Sequence, residues 1–177
     1  KVNGQTLTEL GVKVSMKDEI QVNGIPIGRE EPVYYLLYKP KSVISSVKDD
    51  RNRKVVTDFI PTDKRIFPIG RLDFDTTGVL LLTNDGDFAH LLTHPKFEIE
   101  KTYIAKVKGI ITPPVIHQLK RGVKLEDGKT SPAKVKLLKR DRRKQTSLIE
   151  LVIHEGRNRQ VKRMLEAVGH PVIKLKR

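Results

Sequence analysis

The chain has 177 residues, enough to bury one core and at most a small appendage, and its lack of cysteine excludes disulfides, thiolate metal sites and cysteine nucleophiles, as is common in a reducing compartment. No apolar run is long enough to span a bilayer and no charged-then-apolar leader opens the sequence, so we expect a soluble protein of the cytoplasm. The formal net charge is +14, and residues 133–177 carry 14 basic against 4 acidic side chains; without aromatic membrane anchors beside it, this charge favours a nucleic acid as the partner.

The first 30 residues carry no net charge and are rich in turns. The tripeptide Val-Asn-Gly occurs twice in them, and Asn-Gly after an apolar residue is typical of a tight turn between short strands. The segment Glu30-Glu31-Pro32 then forms a boundary. Beyond it, residues 33–39 are a predicted strand that Pro40 ends, and residues 43–47 are a predicted second strand.

The next elements enclose an acidic loop bracketed by glycine. Residues 65–69 are a predicted strand, and the continuous apolar run 79–83 has the length of a strand buried on both faces. Between them lies Gly-Arg-Leu-Asp-Phe-Asp-Thr-Thr-Gly, residues 70–78, which we call the acidic loop. Its glycines permit backbone conformations that strain other residues, and the hydroxyls of Thr76 and Thr77 can bond to loop amides. We therefore expect a short, rigid loop between two core elements.

The two carboxylates of this loop, Asp73 and Asp75, allow two interpretations. Aspartate in a turn commonly accepts hydrogen bonds from nearby amides, which would make both residues local and structural. However, Arg71 lies two residues before Asp73, and a carboxylate beside fixed positive charge stays ionised and can act as a nucleophile. Because the chain is so basic, we favour the second interpretation, in which a carboxylate of this loop acts on a polyanionic substrate.

Helices and strands alternate irregularly in the second half. Asp85 can cap a helix that runs through Leu92 before Pro95, and Thr112 can cap another that runs to about Gly122. The remaining predicted elements are a strand over residues 99–108, a hairpin of strands 133–138 and 148–154, an amphipathic helix over 157–168 and a strand from Val172. Without regular βαβ alternation, they predict an α+β fold with a central mixed, largely antiparallel sheet flanked by helices.

Two basic runs lie in this half. The run at 155–163 opens the last helix, and its cations Arg159, Lys162 and Arg163 project away from the apolar side, so we expect them to contact phosphate or to pair with a buried acid. The run at 139–144 is also consistent with a solvated loop that keeps strand edges from aggregating.

Metal and cofactor sites find little support. His90 and His94 have the i, i+4 spacing of helical metal ligands, but no third ligand is evident and a helix-end role beside Pro95 is favoured. The sequence contains no P-loop and no dinucleotide-binding fingerprint. We therefore expect no metal and no cofactor.

Four motifs occur together in a fixed order. They are Gly70-Arg71-Leu72-Asp73 with Thr76-Thr77-Gly78, then Leu80-Leu81-Leu82-Thr83-Asn84-Asp85-Gly86, then Lys101-Thr102-Tyr103, and finally Glu155-Gly156-Arg157-Asn158-Arg159-Gln160-Val161-Lys162-Arg163-Met164. With this spacing the chain resembles, over nearly all its length, the family of RNA pseudouridine synthases that comprises synthase A of small-subunit ribosomal RNA together with synthases B, E and F of large-subunit ribosomal RNA.

The resemblance implies the roles of several residues. Asp73 matches the catalytic aspartate, and Tyr103 matches a tyrosine that stacks on the target base and helps to remove its C5 proton. A basic residue of the last motif pairs with the aspartate, which we assign to Lys162, with Arg157 as the alternative. Leu175 matches a leucine that packs near the base, and Arg71 matches a loop arginine near the active site. The predicted substrate-binding set is Arg71, Arg157, Arg159, Arg163 and Leu175.

The resemblance also implies a domain organisation and an activity. In this family an S4-type RNA-binding module precedes the catalytic domain; residues 1–30 resemble only its closing strands, and residues 31–177 would be the catalytic domain, which in the family continues past the last strand. The implied activity is isomerisation of a flipped-out uridine in ribosomal RNA, with large-subunit RNA as the expected substrate, by a monomer that needs no cofactor.

Two other functions stay open on the sequence alone. A non-catalytic protein that binds ribosomal RNA would account for the basic segment, and a metal-dependent phosphodiesterase could use Asp73 and Asp75. Removal of Asp73 would leave the first unaffected, and the second would be sensitive to chelators.

Overall fold

A computed structural model describes all 177 residues and divides them into two compact units, residues 1–32 and 33–177. The smaller unit holds one antiparallel hairpin, formed by β1 (Ile20–Val22) and β2 (Ile25–Ile27). An Asn-Gly pair with positive φ at both residues turns this hairpin, as the repeated tripeptide predicts. No residue of this unit is buried, so the unit has no hydrophobic core of its own.

The larger unit contains nine strands and three helices, which confirms the predicted α+β class. In chain order they are β3 (Tyr34–Lys39), β4 (Phe67–Pro68), β5 (Gly78–Thr83), α1 (Gly86–Thr93), β6 (Lys101–Lys108), α2 (Pro113–Arg121), β7 (Lys124–Leu125), β8 (Gly128–Lys129), β9 (Lys134–Asp141), β10 (Thr146–Ile153), α3 (Gln160–Ala167) and β11 (Val172–Lys176). Asp85 caps α1 as predicted, by accepting a hydrogen bond from the amide of Phe88. No helix combines the length and the apolarity needed to cross a membrane.

Two antiparallel sheets organise this unit. One has the strand order β11–β6–β10–β9, and the other has the order β3–β5–β4. They meet at a parallel bridge between Thr77 and Lys176, where the amide of Arg177 donates to Thr77 O and the amide of Val79 donates to Arg177 O. We call this junction the sheet seam. It makes the whole arrangement mixed but largely antiparallel, as predicted.

Each sheet buries one face in its own core. The larger core lies under the four-stranded sheet and is closed by helices; its fully buried members include Ala105, Ile149, Leu151, Met164 and Leu165. The smaller core lies under the three-stranded sheet and contains Val43, Val56, Ile66, Leu72, Leu80 and Leu82. Tyr103 of β6 packs against both cores and therefore marks the line where they meet.

Strand β5 differs from its prediction. Leu80 and Leu82 are fully buried, but Val79 between the loop and Leu80 is 45% exposed, so the strand is not buried on both faces. The alternate residues Leu36 and Tyr38 of the neighbouring strand β3 are exposed as well. The prediction is wrong because the outward residues of this apolar run are as hydrophobic as its inward ones, which hides the period of two.

Other elements also differ from their predicted bounds. The predicted strand 43–47 is absent, since only Ile44 makes a bridge, to Val55. Helix α3 begins at Gln160 rather than at residue 157, because Arg159 has the left-handed φ of 50°. The hairpin strands β9 and β10 extend further than predicted and take in the start of the basic run, while the small hairpin β7–β8 has no counterpart among the predicted elements.

The sheet seam depends on a residue without a side chain. Gly78 has a φ of 122°, and a Cβ at this position would collide with the backbone of Arg177. We expect Gly78→Ala to lower the free energy of unfolding by about 2–4 kcal/mol, because backbone strain and displaced hydrogen bonds add together. Urea unfolding measures this change. Gly86→Ala at the start of α1, where the site is open and φ is ordinary, should stay within about 1 kcal/mol of wild type; equal effects of the two substitutions would contradict the role of the seam.

Candidate active site

The acidic loop joins β4 to β5 and is fixed to the chain around residues 39–45. The hydroxyl of Ser45, which is buried, donates to Leu72 O at 2.9 Å and accepts from the Leu72 amide at 3.0 Å. The amide of Ser42 donates to Phe74 O, and the amide of Thr76 donates to Asp73 O, which closes a tight turn around Phe74. These bonds hold the loop backbone on both sides of Asp73.

A fully buried ammonium group lies behind this turn. Lys39 Nζ donates to the carbonyl oxygens of Pro40 at 2.9 Å, of Val43 at 2.8 Å and of Phe74 at 3.5 Å. Burial lowers the pKa of Lys39, while the nearby carboxylates of Asp75 and Asp73 act in the opposite direction. Lys39 thus ties the end of β3 to the loop and adds positive charge behind it.

The sheet seam fixes the other end of the loop. The amide of Thr77 donates to Leu175 O at 3.2 Å, next to the bond from Arg177 to Thr77 O. Leu175 is buried and pairs with Ala105 of β6. The loop therefore begins on the smaller core and ends against a strand of the larger one.

The ammonium of Lys162 is the centre of the site. It lies 3.1 Å from Asp73 Oδ2 and 2.5 Å from Asp75 Oδ1, while its own side chain is only 11% exposed. The Asp73 side chain is 32% exposed and that of Asp75 is 56% exposed. Val161 and Leu165 of helix α3 are core residues. Successive residues of a helix project about 100° apart, so Lys162 lies at the border of this buried side.

Lys162 and Arg157, the two basic residues that the resemblance offers as partners of Asp73, make different contacts in the structure. Lys162 contacts Asp73, whereas Arg157 donates to Glu155 Oε2 at 2.7 Å and to the carbonyl oxygens of Gly128 and Lys129 at 3.0 and 2.9 Å. Lys162 also contacts a second carboxylate, Asp75. The hydrogen bond from Lys162 holds the pKa of Asp75 below its usual value, against the opposing effect of burial, and Arg159 acts in the same direction as Lys162.

The other arginines of the last motif separate into two groups. Arg163 forms a bidentate ion pair with Asp127, at 2.9 and 3.0 Å, and Arg157 adds a longer contact to the same carboxylate. The hydrogen bond from Arg163 lowers the pKa of Asp127. Arg157 and Arg163 thus fasten the β7–β8 hairpin to the start of α3, whereas Arg159 is exposed near Asp75.

The remaining predicted residues lie around this centre in different settings. Tyr103 is half-buried at the meeting line of the two cores, and Leu175 is buried beside the seam. Arg71 is exposed and forms no ion pair. The predicted loop-satisfying role of the threonines is wrong: Thr76 Oγ1 is buried without a partner, and Thr77 Oγ1 accepts from Tyr38 Oη at 3.3 Å instead of from a loop amide.

Sequence reasoning missed two residues of this region and did not foresee the partner of a third. Lys39 and Asp127 act through tertiary contacts that no local pattern predicts, and Asp75 was singled out without its contact to Lys162. The spacing Asp-x-Asp was a usable signal for Asp75, because the turn around Phe74 brings both carboxylates to one cation.

Other candidate sites are weaker. The rings of His90 and His94 lie 4.8 Å apart, and His94 Nδ1 accepts from the Lys96 amide at the helix end; no cluster of three possible metal ligands is present. Two surface depressions of about 140 and 370 Å³ border residues 47–66 and include no residue of the acidic loop. The convergence of charge at Lys162, rather than a cavity, identifies the site.

Comparison with known proteins gives consistent matches. The family described as RNA pseudouridylate synthase matches residues 33–167. The ribosomal large subunit pseudouridine synthase B of Bacillus subtilis is 65% identical over 178 aligned residues, which cover all of this chain and 73% of that protein. An uncharacterized RNA pseudouridine synthase of Aquifex aeolicus is 37% identical, over all of this chain and 72% of its own length.

Solved structures match as well. A crystal structure described as a pseudouridylate synthase superposes with a TM-score of 0.75 at 32% identity, over 99% of this chain and 75% of that one. Human RNA pseudouridylate synthase domain containing 4 superposes with a TM-score of 0.55 at 19% identity, over 82% of this chain and 65% of that one, which is a likeness of fold.

The pKa of Asp75 leads to a prediction about pH. Because this pKa is lowered in the folded state, the ionised carboxylate stabilises the fold above its unfolded value of about 3.9, and the effect is lost as the pH falls through the folded value. At pH 7 we expect the free energy of unfolding of wild type to exceed that of Asp75→Asn by up to about 1 kcal/mol, a bound set by the exposure of the ion pair. This difference in unfolding free energy should disappear below about pH 4.

Urea unfolding between pH 3 and pH 7 measures this gap. Asp63→Asn, at an exposed position without an ion pair, is the matched control and should show no gap that depends on pH. A difference between wild type and Asp75→Asn that grows toward low pH would contradict the assigned direction of the shift.

Proposed function

The chain belongs to the RNA pseudouridylate synthase family, and on that premise we propose that it isomerises a uridine of large-subunit ribosomal RNA, with Asp73 as the nucleophile. Family membership gives the activity, conversion of uridine in RNA to pseudouridine. The choice of ribosomal RNA draws on the 65% identical relative, whose name states large-subunit RNA as its target. A net charge of +14 is consistent with a polyanionic substrate.

One observation carries the assignment of Asp73: the ion pair with Lys162, made inside a loop whose backbone is bonded on both sides. The ammonium balances the carboxylate charge at a position where the side chain stays one-third exposed. A fixed and accessible carboxylate of this kind is suited to nucleophilic attack. Asp75 is the more exposed of the two, so we assign it a supporting role in holding Lys162.

The chemistry exchanges one glycosidic bond for another. The bond between uracil N1 and ribose C1′ breaks, a bond between C5 and C1′ forms, the C5 proton leaves and N1 gains a proton, so no oxidant, reductant or energy source is consumed. Attack by Asp73 at C1′ breaks the bond to N1 and leaves an ester to ribose, whereas addition at the ring carbon C6 precedes the breaking of that bond. In either route the uracil turns, C5 bonds to C1′, and the bond to Asp73 then breaks to restore the free carboxylate. A carboxylate nucleophile at a glycosidic carbon has precedent in retaining glycosidases.

The target uridine has to leave its stack to meet Asp73. Unstacking costs a few kcal/mol, and contacts in the pocket return that energy. We assign Tyr103 to stack on the base and to help remove the C5 proton, and Leu175 to pack near it. A base platform of this kind contributes about 1–3 kcal/mol.

The arginines around Lys162 differ in how far they are available to bind RNA. Exposed Arg71 and Arg159 are available to contact the phosphates beside the target nucleotide. The guanidinium groups of Arg157 and Arg163 already bond to the β7–β8 hairpin, so only their outward-facing atoms would be available to contact RNA. We therefore expect Arg159 to contribute more to RNA binding than Arg163.

We also propose that residues 1–30 are the closing strands of an S4-type RNA-binding module and that the larger unit acts as a monomer. The exposed hairpin without a core of its own is consistent with part of a larger module. The alternative of a metal-dependent phosphodiesterase is disfavoured, because the ammonium of Lys162 occupies the space between the two carboxylates that a divalent cation would need.

Substitution of Asp73 tests the proposal directly. In Asp73→Asn the amide cannot form the covalent adduct, so we expect pseudouridine formation in a 23S rRNA transcript to slow by at least about 10⁴-fold, with RNA affinity within about threefold of wild type. Base-specific chemical mapping measures the product. Asp75→Asn, which removes the other partner of Lys162, should slow turnover by no more than about tenfold. Undiminished turnover in Asp73→Asn would exclude the proposed nucleophile, and equal losses in both variants would leave the two carboxylates undistinguished.

Tyr103 should act after cleavage of the glycosidic bond. Tyr103→Phe keeps the ring but removes the hydroxyl, so we expect normal RNA binding with C5 proton loss slowed by about 10²-fold, in the range of a general base. Release of tritium from RNA labelled at uridine C5 measures this step. The control is Tyr35→Phe, which removes the same atom from a half-buried ring of the smaller core; an unchanged rate in Tyr103→Phe would reduce its hydroxyl to a packing role.

A further inference from the structure

The four-stranded sheet has a second face that is rich in lysine. Residues directly opposite one another in antiparallel strands project to the same side, so the pairing register groups them into rows. One row across β9, β10, β6 and β11 is Lys136, Glu150, Ile104 and Lys176, and the next is Lys139, Leu148, Lys106 and Lys174.

Seven lysines share this face. Six of them are exposed and Lys106 is half-buried; the set, which we call the lysine face, is Lys106, Lys108, Lys134, Lys136, Lys139, Lys174 and Lys176. The acids of the same face are Glu150 and Asp141, and Glu100 neutralises one of the lysines, which leaves an excess of four positive charges (seven minus three). Glu100, at the edge, pairs with Lys134 at 2.6 Å.

The lysine face lies on the opposite side of the sheet from the candidate active site. The alternate residues of the same strands, such as Ala105, Leu151 and Leu175, are buried under α2 and α3. Helix α3 carries Lys162, and half-buried Tyr103 lies on the same side of β6 as Ala105 and packs against the larger core. A ligand on the lysine face would therefore not be the nucleotide that reacts at Asp73.

Protection of a sheet edge does not account for this charge. Lysines commonly prevent edge strands from pairing with other chains, and β9 is an edge strand. Lys106 and Lys108, however, lie on β6, which has a hydrogen-bonded partner on each side. Four strands spaced about 4.8 Å apart make a surface about 14 Å wide, enough for several phosphates.

We propose that the lysine face binds phosphates of the ribosomal RNA substrate, at a segment distinct from the target nucleotide. The inference rests on the proposed function for the identity of the RNA. Charge complementarity selects a polyanion as the occupant, because four excess positive charges on one face repel a second copy of the same surface. The enzyme would thus hold its substrate from two sides of one sheet.

The test compares two triple variants of the whole chain. Lys106→Gln, Lys136→Gln and Lys174→Gln remove three charges from the lysine face, and Lys48→Gln, Lys54→Gln and Lys120→Gln remove three from other parts of the larger unit. Filter binding to a 23S rRNA transcript between 50 and 200 mM KCl gives affinity and salt dependence. We expect the first variant to bind at least about tenfold more weakly and to lower the slope of log affinity against log salt by about 2–3, with a much smaller change in the second.

Lysine acetylation in the presence and absence of the transcript gives a second readout that does not depend on folding of a variant. RNA should protect Lys106, Lys136 and Lys174 and leave Lys48 and Lys120 reactive. Equal losses of affinity in the two triple variants, or no protection of the lysine face, would overturn the inference. So would a change in sedimentation of the first variant at unchanged RNA affinity, which would assign the face to self-association.

Chemical mapping of pseudouridine in the same transcript separates this inference from the proposed function. If wild type forms no pseudouridine but RNA protects the lysine face, the proposed function fails and the binding face stands. If wild type forms pseudouridine and both triple variants bind RNA as wild type does, the proposed function stands and the binding role of the lysine face fails.

Discussion

The ammonium of Lys162, held between two carboxylates, is the interaction on which the site depends. Lys162 and Asp75 are 87 positions apart in the chain, and their contact fixes helix α3 against the acidic loop. A nearly buried ammonium without a counter-charge is costly, so the two aspartates stabilise Lys162 as much as it orders them. The ion pairs of Arg157 and Arg163 with Asp127 hold the start of the same helix and keep Lys162 in place.

The acidic loop is accessible but its backbone is fixed. Buried Lys39 and Ser45 bond to its carbonyl groups from one side, and the sheet seam holds its far end. Reactions that need a nucleophile within a few tenths of an ångström of its target gain from such a fixed frame, because the ordering cost is met during folding rather than during turnover. The site also joins two cores, since Leu72 of the loop belongs to the smaller and helix α3, which carries Lys162, packs into the larger.

The sequence predicted most of the elements of the larger unit. Helix α1, strand β3 and the late hairpin follow from caps, proline and apolar period. The pairing of Asp73 with Lys162, with Arg157 as the alternative, came from the family resemblance, and the structure places Lys162 3.1 Å from Asp73. The failures have physical causes. Strand β5 has no polar residue on its outer face to reveal the period of two, and the late start of α3 depends on a left-handed Arg159 that no local pattern indicates. Partners such as Asp127 are decided by tertiary distance, which spacing along the chain does not encode.

The sheet seam has a consequence for the time at which the acidic loop is fixed during synthesis. Its hydrogen bonds join residues 77–79 to residues 175–177, nearly a hundred positions later. The smaller core can form on a growing polypeptide as soon as its own segments have left the ribosome, but the acidic loop cannot be clamped until β11 has emerged. Nascent chains that have not yet reached residue 177 should therefore carry a folded smaller core with an acidic loop that is not yet held in place.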